Sequence, residues 1–420
     1  MQKIQAIRGM NDLLPDASPL WLYFEDTVRE VFEQYGYRLM RTPIVESTPL
    51  FARAIGEVTD IVEKEMYSFE DSMNGEKLTL RPEATAGLVR AVIEHNLLYN
   101  GPQRVWTWGP MFRHERPQKG RYRQFHQFDV EALGFPGPDV DAEQIVMLSR
   151  LWKRLGIDNV TLHVNSIGDA ASRASHREAL VKYFESRFDE LDEDARRRLH
   201  TNPLRTLDTK NPAMLPVVDA APKLRDFLDD EAKAHFAGVT SRLSASGVTF
   251  VENPRLVRGF DYYNRTVFEF IGKGPDFELA IAGGGRYDGL IEQLGGKPAP
   301  GCGFGIGVER VLMLLEGQGA APIEVRDAYV LYQEPYSTQA WQAAESLRDA
   351  GLTVVLHAGG GSFKSQMKKA DGSGARFAII LGESEVAAGV LAVKDLRGGG
   401  DQLSLTLDQA IERLWAGALD

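Results

Sequence analysis

The sequence predicts a protein of mixed helices and strands in two or three domains, and three stretches lead to that prediction. Residues 105–133 have the pattern of a β-hairpin, and residues 170–248 are rich in charge and in helix-forming residues. After residue 322 the chain alternates short apolar strands with helices, which is typical of a small α/β domain. A length of 420 residues is sufficient for two or three domains with a sizeable core.

The predicted hairpin has a cationic turn. An apolar run over 105–108 leads into it, a strand-like run over 125–133 leads out, and Pro117 and Gly120 favour a turn between them. The cations of this turn are Arg113, Arg116, Lys119, Arg121 and Arg123. Guanidinium groups suit an anion such as a phosphate. A charged, solvated turn is the alternative, and the hairpin alone does not decide between the two.

The outgoing strand of the hairpin has one apolar and one polar face. The apolar side chains are Phe128, Val130 and Ala132, and the polar ones are Gln127, Asp129 and Glu131. The polar row suits a small polar ligand beside the cations.

The chain before the hairpin predicts a helix and two strands. Ser18 and Pro19 indicate a helix start with a capping hydroxyl, apolar residues follow at helical spacing, and Gly36 ends the helix. A strand over 42–45 contains Pro43, which favours a sheet edge or an interface. A second strand begins at 78 and turns into a helix near residue 84. Glu83 and Thr85 lie at that junction, where they either reach a ligand or serve the helix N-terminus.

The stretch 170–248 predicts a solvated helical insertion. Asp192, Glu193 and Asp194 precede Arg196, Arg197 and Arg198 at a spacing that allows i,i+4 ion pairs. Such a run is typical of a solvent-exposed helix and does not indicate a catalytic role.

Three further stretches have the composition of a binding site. Residues 256–270 place an arginine and two tyrosines before a strand, and residues 282–288 bring glycines where backbone approaches a ligand or another chain. In 301–312 glycine alternates with apolar residues before a predicted helix, so that a flat ligand such as adenine can lie on the bare face beneath Arg310. This is neither the dinucleotide-binding glycine pattern nor a phosphate-binding loop.

Beyond a linker over 316–322, the C-terminal part has four predicted strands and three predicted helices. The strands cover 328–331, 353–356, 377–381 and 390–393, and the helices cover 337–348, 363–370 and 408–414. The second predicted helix carries Lys364, Lys368 and Lys369, and Arg376 lies nearby. The simplest interpretation is that these cations keep the helix soluble.

Composition restricts the class of protein. A net charge of -11 argues against indiscriminate polyanion binding but allows selective, salt-sensitive binding of a nucleic acid. No stretch approaches a membrane helix, residues 1–5 have no apolar signal region, and Cys302 is the single cysteine. We therefore expect a cytoplasmic protein in which Cys302 is a small packed residue and not a nucleophile.

These motifs together resemble a class II aminoacyl-tRNA synthetase of the bacterial histidyl-tRNA synthetase family, from residue 7 onward. The class motifs are matched by Gly36-Tyr37 with Pro43-Ile44, by 112–115 with the hairpin, and by 303–310. The stretches 256–263 and 282–287 match motifs specific to the family. The signatures of the other synthetase class are absent from the sequence.

The resemblance implies an α+β fold. Its catalytic core, over 1–325, is an antiparallel sheet flanked by helices and carries the insertion at 170–248. Residues 326–420 correspond to a C-terminal α/β anticodon-binding domain. The family also implies a homodimer, with the first class motif at the interface.

The resemblance assigns roles to particular residues. Positions around L-histidine are Glu83, Thr85, Arg113, Gln127, Glu131, Arg258, Tyr262 and Tyr263. Catalysis at the α-phosphate falls to Arg113 and Arg258, the latter standing where related enzymes place a metal, and ATP binding falls to Arg113 and Arg310. The tRNA acceptor end is met by Arg116, Gln118, Lys119 and Arg121. Two positions depart from the family pattern, Ala84 and the third glycine at Gly283, and neither carries a side chain with an assigned role.

The implied function is histidine–tRNA ligation. L-Histidine is activated by ATP with Mg²⁺, and the histidyl group passes to the 3′ end of the cognate tRNA(His). The main alternative is a regulatory subunit of the ATP phosphoribosyltransferase of histidine biosynthesis, whose members typically lack the C-terminal domain and the ATP-binding residues. A non-catalytic RNA-binding protein is a third possibility, but it leaves the ATP and histidine features unexplained.

Overall fold

The computed structural model describes residues 3–56, 59–209, 211–318 and 326–418. The chain divides into two units, Met1–Ala321 and Pro322–Asp420.

The predicted hairpin is the centre of the first unit. Its strands pair antiparallel over ten residues each, from Gln103 opposite Leu133 to Phe112 opposite Gln124. Phe128, Val130 and Ala132 are buried in the main core, so the predicted alternation is confirmed.

The described strands of the first unit are β1 (Arg38–Leu39), β2 (Val45–Ser47), β3 (Tyr67–Glu70), β4 (Lys77–Leu80), β5 (Gln103–Phe112), β6 (Gln124–Leu133), β7 (Val160–Ser166), β8 (Val251–Glu252), β9 (Asn264–Lys273), β10 (Glu278–Arg286) and β11 (Gly301–Gly307). Eight of them form one sheet in the order β1-β5-β6-β11-β10-β9-β7-β8. Its pairs are antiparallel except the two at the edges, β1 with β5 and β7 with β8. A smaller sheet has the order β2-β4-β3. The predicted antiparallel sheet is therefore confirmed.

The described α-helices of this unit are α1 (Ser18–Gln34), α2 (Thr48–Ile55), α3 (Thr85–Glu94), α4 (Pro138–Arg154), α5 (Ala170–Glu185), α6 (Glu193–Arg198), α7 (Leu215–Asp219), α8 (Asp230–Ala245), α9 (Leu290–Gln293) and α10 (Val308–Gly317). Helices α1, α4, α8 and α10 bury their apolar faces against one side of the large sheet. The polar row of β6 points to the other side, which is left open for the candidate site.

The start of the chain differs from prediction in two details. Helix α1 begins at Ser18 as predicted, but the Ser18 hydroxyl donates to the Leu14 carbonyl at 3.2 Å and does not cap the helix. The strand predicted over 42–45 is replaced by β1 and β2, which lie at sheet edges on either side of Pro43. Proline lacks the N–H that a continuous strand would need, which accounts for the break.

The stretch 170–248 is helical, as predicted. It also has a small core of its own and contributes residues to the main core. Residues of α5 and α6, including Leu180, Phe184 and Ala195, form a separate small core, whereas Val239 and Leu243 of α8 belong to the main core. The predicted i,i+4 pairing of Asp192 is wrong, because its carboxylate accepts hydrogen bonds from the Ala195 N–H at 2.9 Å and from Asn211 at 3.0 Å.

The second unit is an α/β domain. Its described strands are β12 (Ala328–Tyr332), β13 (Val354–Leu356), β14 (Phe377–Leu381), β15 (Leu391–Asp395) and β16 (Leu403–Leu405), and its described α-helices are α11 (Ser337–Asp349), α12 (Phe363–Gly372), α13 (Glu383–Ala388) and α14 (Leu407–Ala418). The strand order is β13-β12-β14-β15-β16, with β12 parallel to both neighbours. The predicted elements are present, and α13 and β16 were not predicted. Most of the linker predicted over 316–322 lies outside the described residues, and α10 extends to Gly317.

Candidate active site

A cavity of about 680 Å³ lies on the open side of the large sheet, within the first unit. This volume is typical of a site for a small molecule. Among the residues assigned from sequence, those that line it are Glu83, Thr85, Arg113, Arg121, Gln127, Arg258, Tyr262, Tyr263 and Arg310. Glu131, Arg116, Gln118 and Lys119 do not line it.

The glycines of β11 make room for the polar row of β6. Gly303 lies opposite Glu131, Gly305 opposite Asp129 and Gly307 opposite Gln127. A Cβ at Gly303 would overlap the Glu131 carboxylate. The sequence predicted a bare glycine face for a flat ligand, and part of that bare face is occupied by side chains of the neighbouring strand.

Glu83 serves both the helix and the cavity. Its Oε1 accepts the Ala86 N–H at 3.0 Å at the start of α3, while its Oε2 has no hydrogen-bond partner among the described residues. The side chain is buried, and burial raises its pKa, an effect that the backbone N–H groups of Ala86 and Thr85 reduce. The two interpretations of Glu83 left open by the sequence are therefore compatible.

Glu131 lies behind the cavity wall. It is fully buried and accepts a hydrogen bond from the Thr85 hydroxyl at 2.6 Å and another from the Tyr287 hydroxyl. Burial raises its pKa well above the usual range. Both carboxylate oxygens therefore have partners within the protein, and Thr85 stands between Glu131 and the cavity.

Asp129 was not assigned a role from sequence, yet it lines the cavity. It is 4% exposed, and its Oδ2 has no partner among the described residues. Burial and the neighbouring Glu83 raise the pKa of Asp129 to about 8, and Arg81 and Arg113 limit the rise. The alternation of the strand placed Asp129 in the polar row with Gln127 and Glu131, but the family resemblance assigned roles only to the other two.

Three of the arginines that line the cavity, Arg113, Arg258 and Arg310, come from different elements. Arg113, after β5, donates from Nε to the Pro82 carbonyl at 2.9 Å and lies over the Phe125 ring at 5.0 Å. This leaves its terminal nitrogens directed away from the backbone contact. A single carbonyl contact orients the side chain without using both ends of the guanidinium.

Arg258 forms an ion pair across the cavity wall. Its Nη1 is 3.0 Å from Glu269 Oε1, and its Nε has no partner among the described residues. A Cβ at Gly283 would be 2.6 Å from Arg258 Nη1. The glycine that departs from the family pattern therefore gives space to an assigned arginine.

Arg310 is more constrained than Arg113 or Arg258. Its Nε donates to the Gly120 carbonyl in the hairpin turn at 2.9 Å, and its Nη1 donates to the Ala280 carbonyl in β10 at 2.7 Å. These two bonds hold the plane of the guanidinium fixed while the side chain still lines the cavity.

An aromatic cluster forms another wall. The rings of Tyr262 and Tyr263 have centroids 4.6 Å apart, and both side chains are buried. Arg173 of α5 donates to the Tyr263 carbonyl at 3.1 Å. Arg265, two residues further on, has a left-handed backbone (φ 52°) and pairs with Glu231 of α8 at 2.6 Å. The insertion helices thus hold the backbone that positions the tyrosines.

The hairpin tip is exposed. Gln118 and Arg121 close the turn through their backbones, and Lys119 pairs with Asp276 at 3.1 Å. Arg116 and Gln118 extend into solvent, and Arg121 is 3.7 Å from Glu115. The tip can therefore meet a large ligand without rearrangement of the cavity.

The sequence did not predict that residues of the insertion line the cavity. Arg205, Leu207 and Thr209 line it, and Arg255 forms an ion pair with Asp219 of α7. No local pattern marks these residues, because the cavity brings them together from distant parts of the chain.

Two residues of the glycine-containing motifs, Arg286 and Cys302, have structural roles away from the cavity. Arg286 is fully buried and forms ion pairs with Asp141 and, at 3.0 Å, with Asp288. Cys302 is buried, its Sγ is 3.2 Å from Gln144 Oε1, and burial raises its pKa well above the usual range. The expectation that Cys302 is a packed residue is confirmed.

The described ranges contain no cluster of three or more His, Cys, Asp or Glu side chains suited to a metal ion. In the same part of the chain, no helix is long and apolar enough to cross a membrane.

Comparison with known proteins shows a consistent similarity over the whole chain. Residues 9–311 match the family model "Histidyl-tRNA synthetase", and residues 324–416 match "Anticodon binding domain". Among curated relatives, the histidine–tRNA ligase of Nitrosomonas europaea is 60% identical over 97% of both chains. That of Cupriavidus taiwanensis is 59% identical over 98% of this chain and 93% of the relative.

Solved structures show the same similarity. The apo S. aureus histidyl-tRNA synthetase has a TM-score of 0.81 at 36% identity and covers 98% of this chain and 100% of its own. A Bacillus halodurans protein described as an ATP phosphoribosyltransferase regulatory subunit/histidyl-tRNA synthetase has a TM-score of 0.67 at 22% identity, covering 91% of this chain and 99% of its own. At that identity it shows the fold alone.

Proposed function

The chain belongs to the histidyl-tRNA synthetase family, and from that premise we propose how its own residues perform the ligation of histidine to tRNA. The enzyme is a histidine–tRNA ligase of the class II synthetase fold, with an anticodon-binding domain. Its substrates are histidine, ATP and tRNA. The alternative of a regulatory subunit has no better support, since the match extends over both family models and nearly the full length of ligases.

The observation that carries the residue assignments is the convergence of cations and buried acceptors on one cavity. Arg113 and Arg258 line it together with Glu83 and Gln127. Guanidinium groups suit the α-phosphate of ATP and the carboxylate of histidine, and acceptor oxygens suit an ammonium group. Both reactants therefore find complementary groups within one space of suitable volume.

In the first step, the histidine carboxylate attacks the α-phosphorus of ATP in line and pyrophosphate leaves, giving histidyl-adenylate. Both reactants are anionic, so orientation and neutralisation of charge dominate the catalysis. Arg113 and Arg258 flank the phosphorus. Arg310, held by two backbone carbonyls, lies flat against the nucleotide. Rigid donors lose little entropy when the transition state forms.

Histidine selectivity depends on hydrogen bonds to its imidazole. The polar side chains that line the cavity include Thr85, Gln127, Tyr262 and Tyr263. The Thr85 hydroxyl donates to Glu131, which leaves its oxygen free to accept a hydrogen bond from the ligand. A site that hydrogen-bonds a polar side chain rejects apolar analogues by roughly 10⁴–10⁵.

In the second step, the terminal ribose hydroxyl of tRNA attacks the activated carbonyl and AMP leaves. The exposed tip residues Arg116, Gln118, Lys119 and Arg121 meet the acceptor end of the tRNA. We assign catalysis to residues 1–325, with the insertion at 170–248, and recognition of the tRNA(His) anticodon to 326–420.

Mg²⁺ belongs to the substrate in this proposal. The cavity carboxylate of Glu269 is paired with Arg258, and that of Glu309 is 2.9 Å from His126 Nδ1, so neither is free to form a resident metal site. Mg²⁺ commonly binds through substrate phosphates. Mg²⁺ would therefore enter with ATP and would neutralise part of the phosphate charge, and no step of the chemistry is assigned to it.

We further propose a cytoplasmic homodimer. Ile44 of the first class motif, Leu39 between its two parts and Leu22 of α1 are exposed apolar residues. Exposed apolar groups of this kind are typical of a contact surface. Light scattering coupled to gel filtration tests this proposal, and a monomer at micromolar concentration would contradict it.

ATP–pyrophosphate exchange measured with each of the twenty amino acids tests the proposed function. We expect exchange that depends on histidine. A regulatory subunit or a non-catalytic RNA-binding protein gives no exchange with any amino acid, and exchange with a different amino acid would refute the assignment of the cavity to histidine.

A further inference from the structure

Asp129 is a buried acid that the mechanism above does not use. It lies on β6 between Gln127 and Glu131, lines the cavity and is 4% exposed. Burying a carboxyl without a complete set of partners lowers stability, so its presence calls for a ligand.

Three buried acceptor oxygens in this cavity have no hydrogen-bond partner among the described residues. They are Glu83 Oε2, Gln127 Oε1 and, once its carboxyl is ionised, Asp129 Oδ2. All three residues line the same cavity. Each unmatched acceptor costs free energy in the unliganded enzyme, and a ligand with several N–H donors removes that cost. An ammonium group has three donors and no acceptor, which matches this set.

Asp129 and Gln127 are adjacent, and a glycine opposite them leaves space. A Cβ at Gly305 would be 2.8 Å from Asp129 Oδ1 and 3.1 Å from Gln127 Nε2. Both side chains therefore extend over the same glycine. Any side chain on Gly305 would displace them, so the absence of one keeps the carboxylate in place.

We propose that Asp129 binds the α-ammonium group of histidine, completing a set of three acceptors with Glu83 and Gln127. This proposal rests on the proposed function, since it requires histidine to occupy this cavity. It adds a residue to which the family resemblance gave no role and which the sequence placed only in the polar row of the strand.

Proton release follows from this arrangement. The groups around Asp129 come from four elements: Arg81 and Glu83 before α3, Thr107 and Arg113 on or after β5, Glu131 on β6, and Gly305 on β11 without a side chain. Because the pKa of Asp129 is raised to about 8, the free enzyme holds a proton there at neutral pH. An ammonium group favours the ionised carboxylate and expels that proton. Histidine affinity should therefore rise from pH 6 to pH 8.

A chemical double-mutant cycle tests the contact. Wild-type and Asp129→Asn enzymes are titrated by calorimetry with histidine and with imidazolepropionate, which lacks the amino group. We expect Asp129→Asn to weaken histidine binding roughly 10- to 100-fold, as for loss of a charged hydrogen bond, and to change imidazolepropionate binding less than twofold. Equal losses for the two ligands, or no loss for histidine, would overturn the proposal.

The same titrations at pH 7 in two buffers of different ionisation enthalpy count the protons released. Wild type should release more protons per histidine than Asp129→Asn, up to one, because binding ionises a carboxyl whose pKa is raised in the free enzyme. Identical proton counts would contradict the proposal. If Asp129→Asn does not fold, Asp129→Ser serves the same comparison.

The pyrophosphate exchange assay distinguishes failure of the proposed function from failure of the role of Asp129. Wild-type enzyme without histidine-dependent exchange would refute the proposed function itself. Histidine-dependent exchange in wild type, with unchanged histidine affinity in Asp129→Asn, would refute only the role of Asp129.

Discussion

Gly303 lies directly opposite Glu131 in the sheet, and any side chain at Gly303 would overlap the Glu131 carboxylate. We expect Gly303→Ala to destabilise the enzyme by about 1–3 kcal/mol, the usual cost of overpacking a buried site. Urea unfolding measures the change. Gly289→Ala is the matched control, since a Cβ there meets nothing within 4 Å. Equal stability of the two variants would contradict the contact.

Arg258→Ala should abolish adenylate formation while leaving histidine and ATP binding largely intact. An arginine that neutralises charge in phosphoryl transfer contributes on the order of 10³–10⁵ in rate. Pyrophosphate exchange and equilibrium binding separate the two effects. Arg187→Ala, at a surface ion pair with Glu190, is the control and should retain full activity. Exchange at near wild-type rate in Arg258→Ala would refute the role.

Arg286→Leu should unfold or strongly destabilise the enzyme, although Arg286 does not line the cavity. It leaves Asp141 fully buried without its arginine, and breaking such a pair typically costs about 3–5 kcal/mol. Arg286→Lys should restore stability only in part, because an ammonium cannot reproduce the bonds to Asp141 and to the carbonyls of Phe135 and Gly137. Thermal unfolding checks both variants, and a stable but inactive Arg286→Leu enzyme would contradict a purely structural role.

Asp129→Asn should stabilise the enzyme in the absence of histidine. The folded protein binds a proton at Asp129 up to a pKa of about 8, whereas the unfolded chain releases it near its ordinary value of 3.8. Stability from this group is therefore full below pH 4 and declines as pH rises to 8, by about 1.4 kcal/mol for each unit of pKa difference. We expect the stabilising effect of Asp129→Asn to be small at pH 5 and largest at pH 8. Urea unfolding at the two pH values measures it, and a stabilisation that shrinks with pH would exclude this explanation.

Deleting residues 326–420 should impair tRNA charging far more than adenylate formation. The first unit has its own core and contains the whole cavity. Aminoacylation and pyrophosphate exchange, assayed on the same preparation, test the difference. Equal losses in both assays would count against an anticodon-binding role for that domain.

Much of the fold could be predicted because its signals are local. The alternation of Phe128, Asp129 and Val130 defines a strand within a few residues, and the glycines of β11 mark a strand that faces side chains. The same local signal did not show which strand those glycines face. That depends on a pairing between β6 and β11, which lie far apart in sequence.

The supporting contacts of the site could not be predicted for the same reason. The hydrogen bond from Tyr287 to Glu131 joins residues on β6 and after β10, and Arg205 reaches the cavity from the insertion. Neither periodicity nor composition encodes such contacts, because both describe only near neighbours in the chain. The sequence identified which side chains have the right chemistry, and the structure shows which of them are already committed to other residues.

Because the insertion at 170–248 contacts the backbone of the Tyr262–Tyr263 segment and part of the main core, it cannot be deleted without damage to the catalytic unit. Arg173 donates to the Tyr263 carbonyl, and Val239 and Leu243 fill part of the main core. An enzyme in which residues 170–248 are deleted would lose the hydrogen bond that holds the backbone at Tyr263. It would also expose apolar surface of the large sheet. Any miniaturised version of this catalyst must therefore retain α5 and α8. The segments between them complete the small core of α5 and bring Arg205, Leu207 and Thr209 to the cavity wall, so trimming them would also alter the cavity.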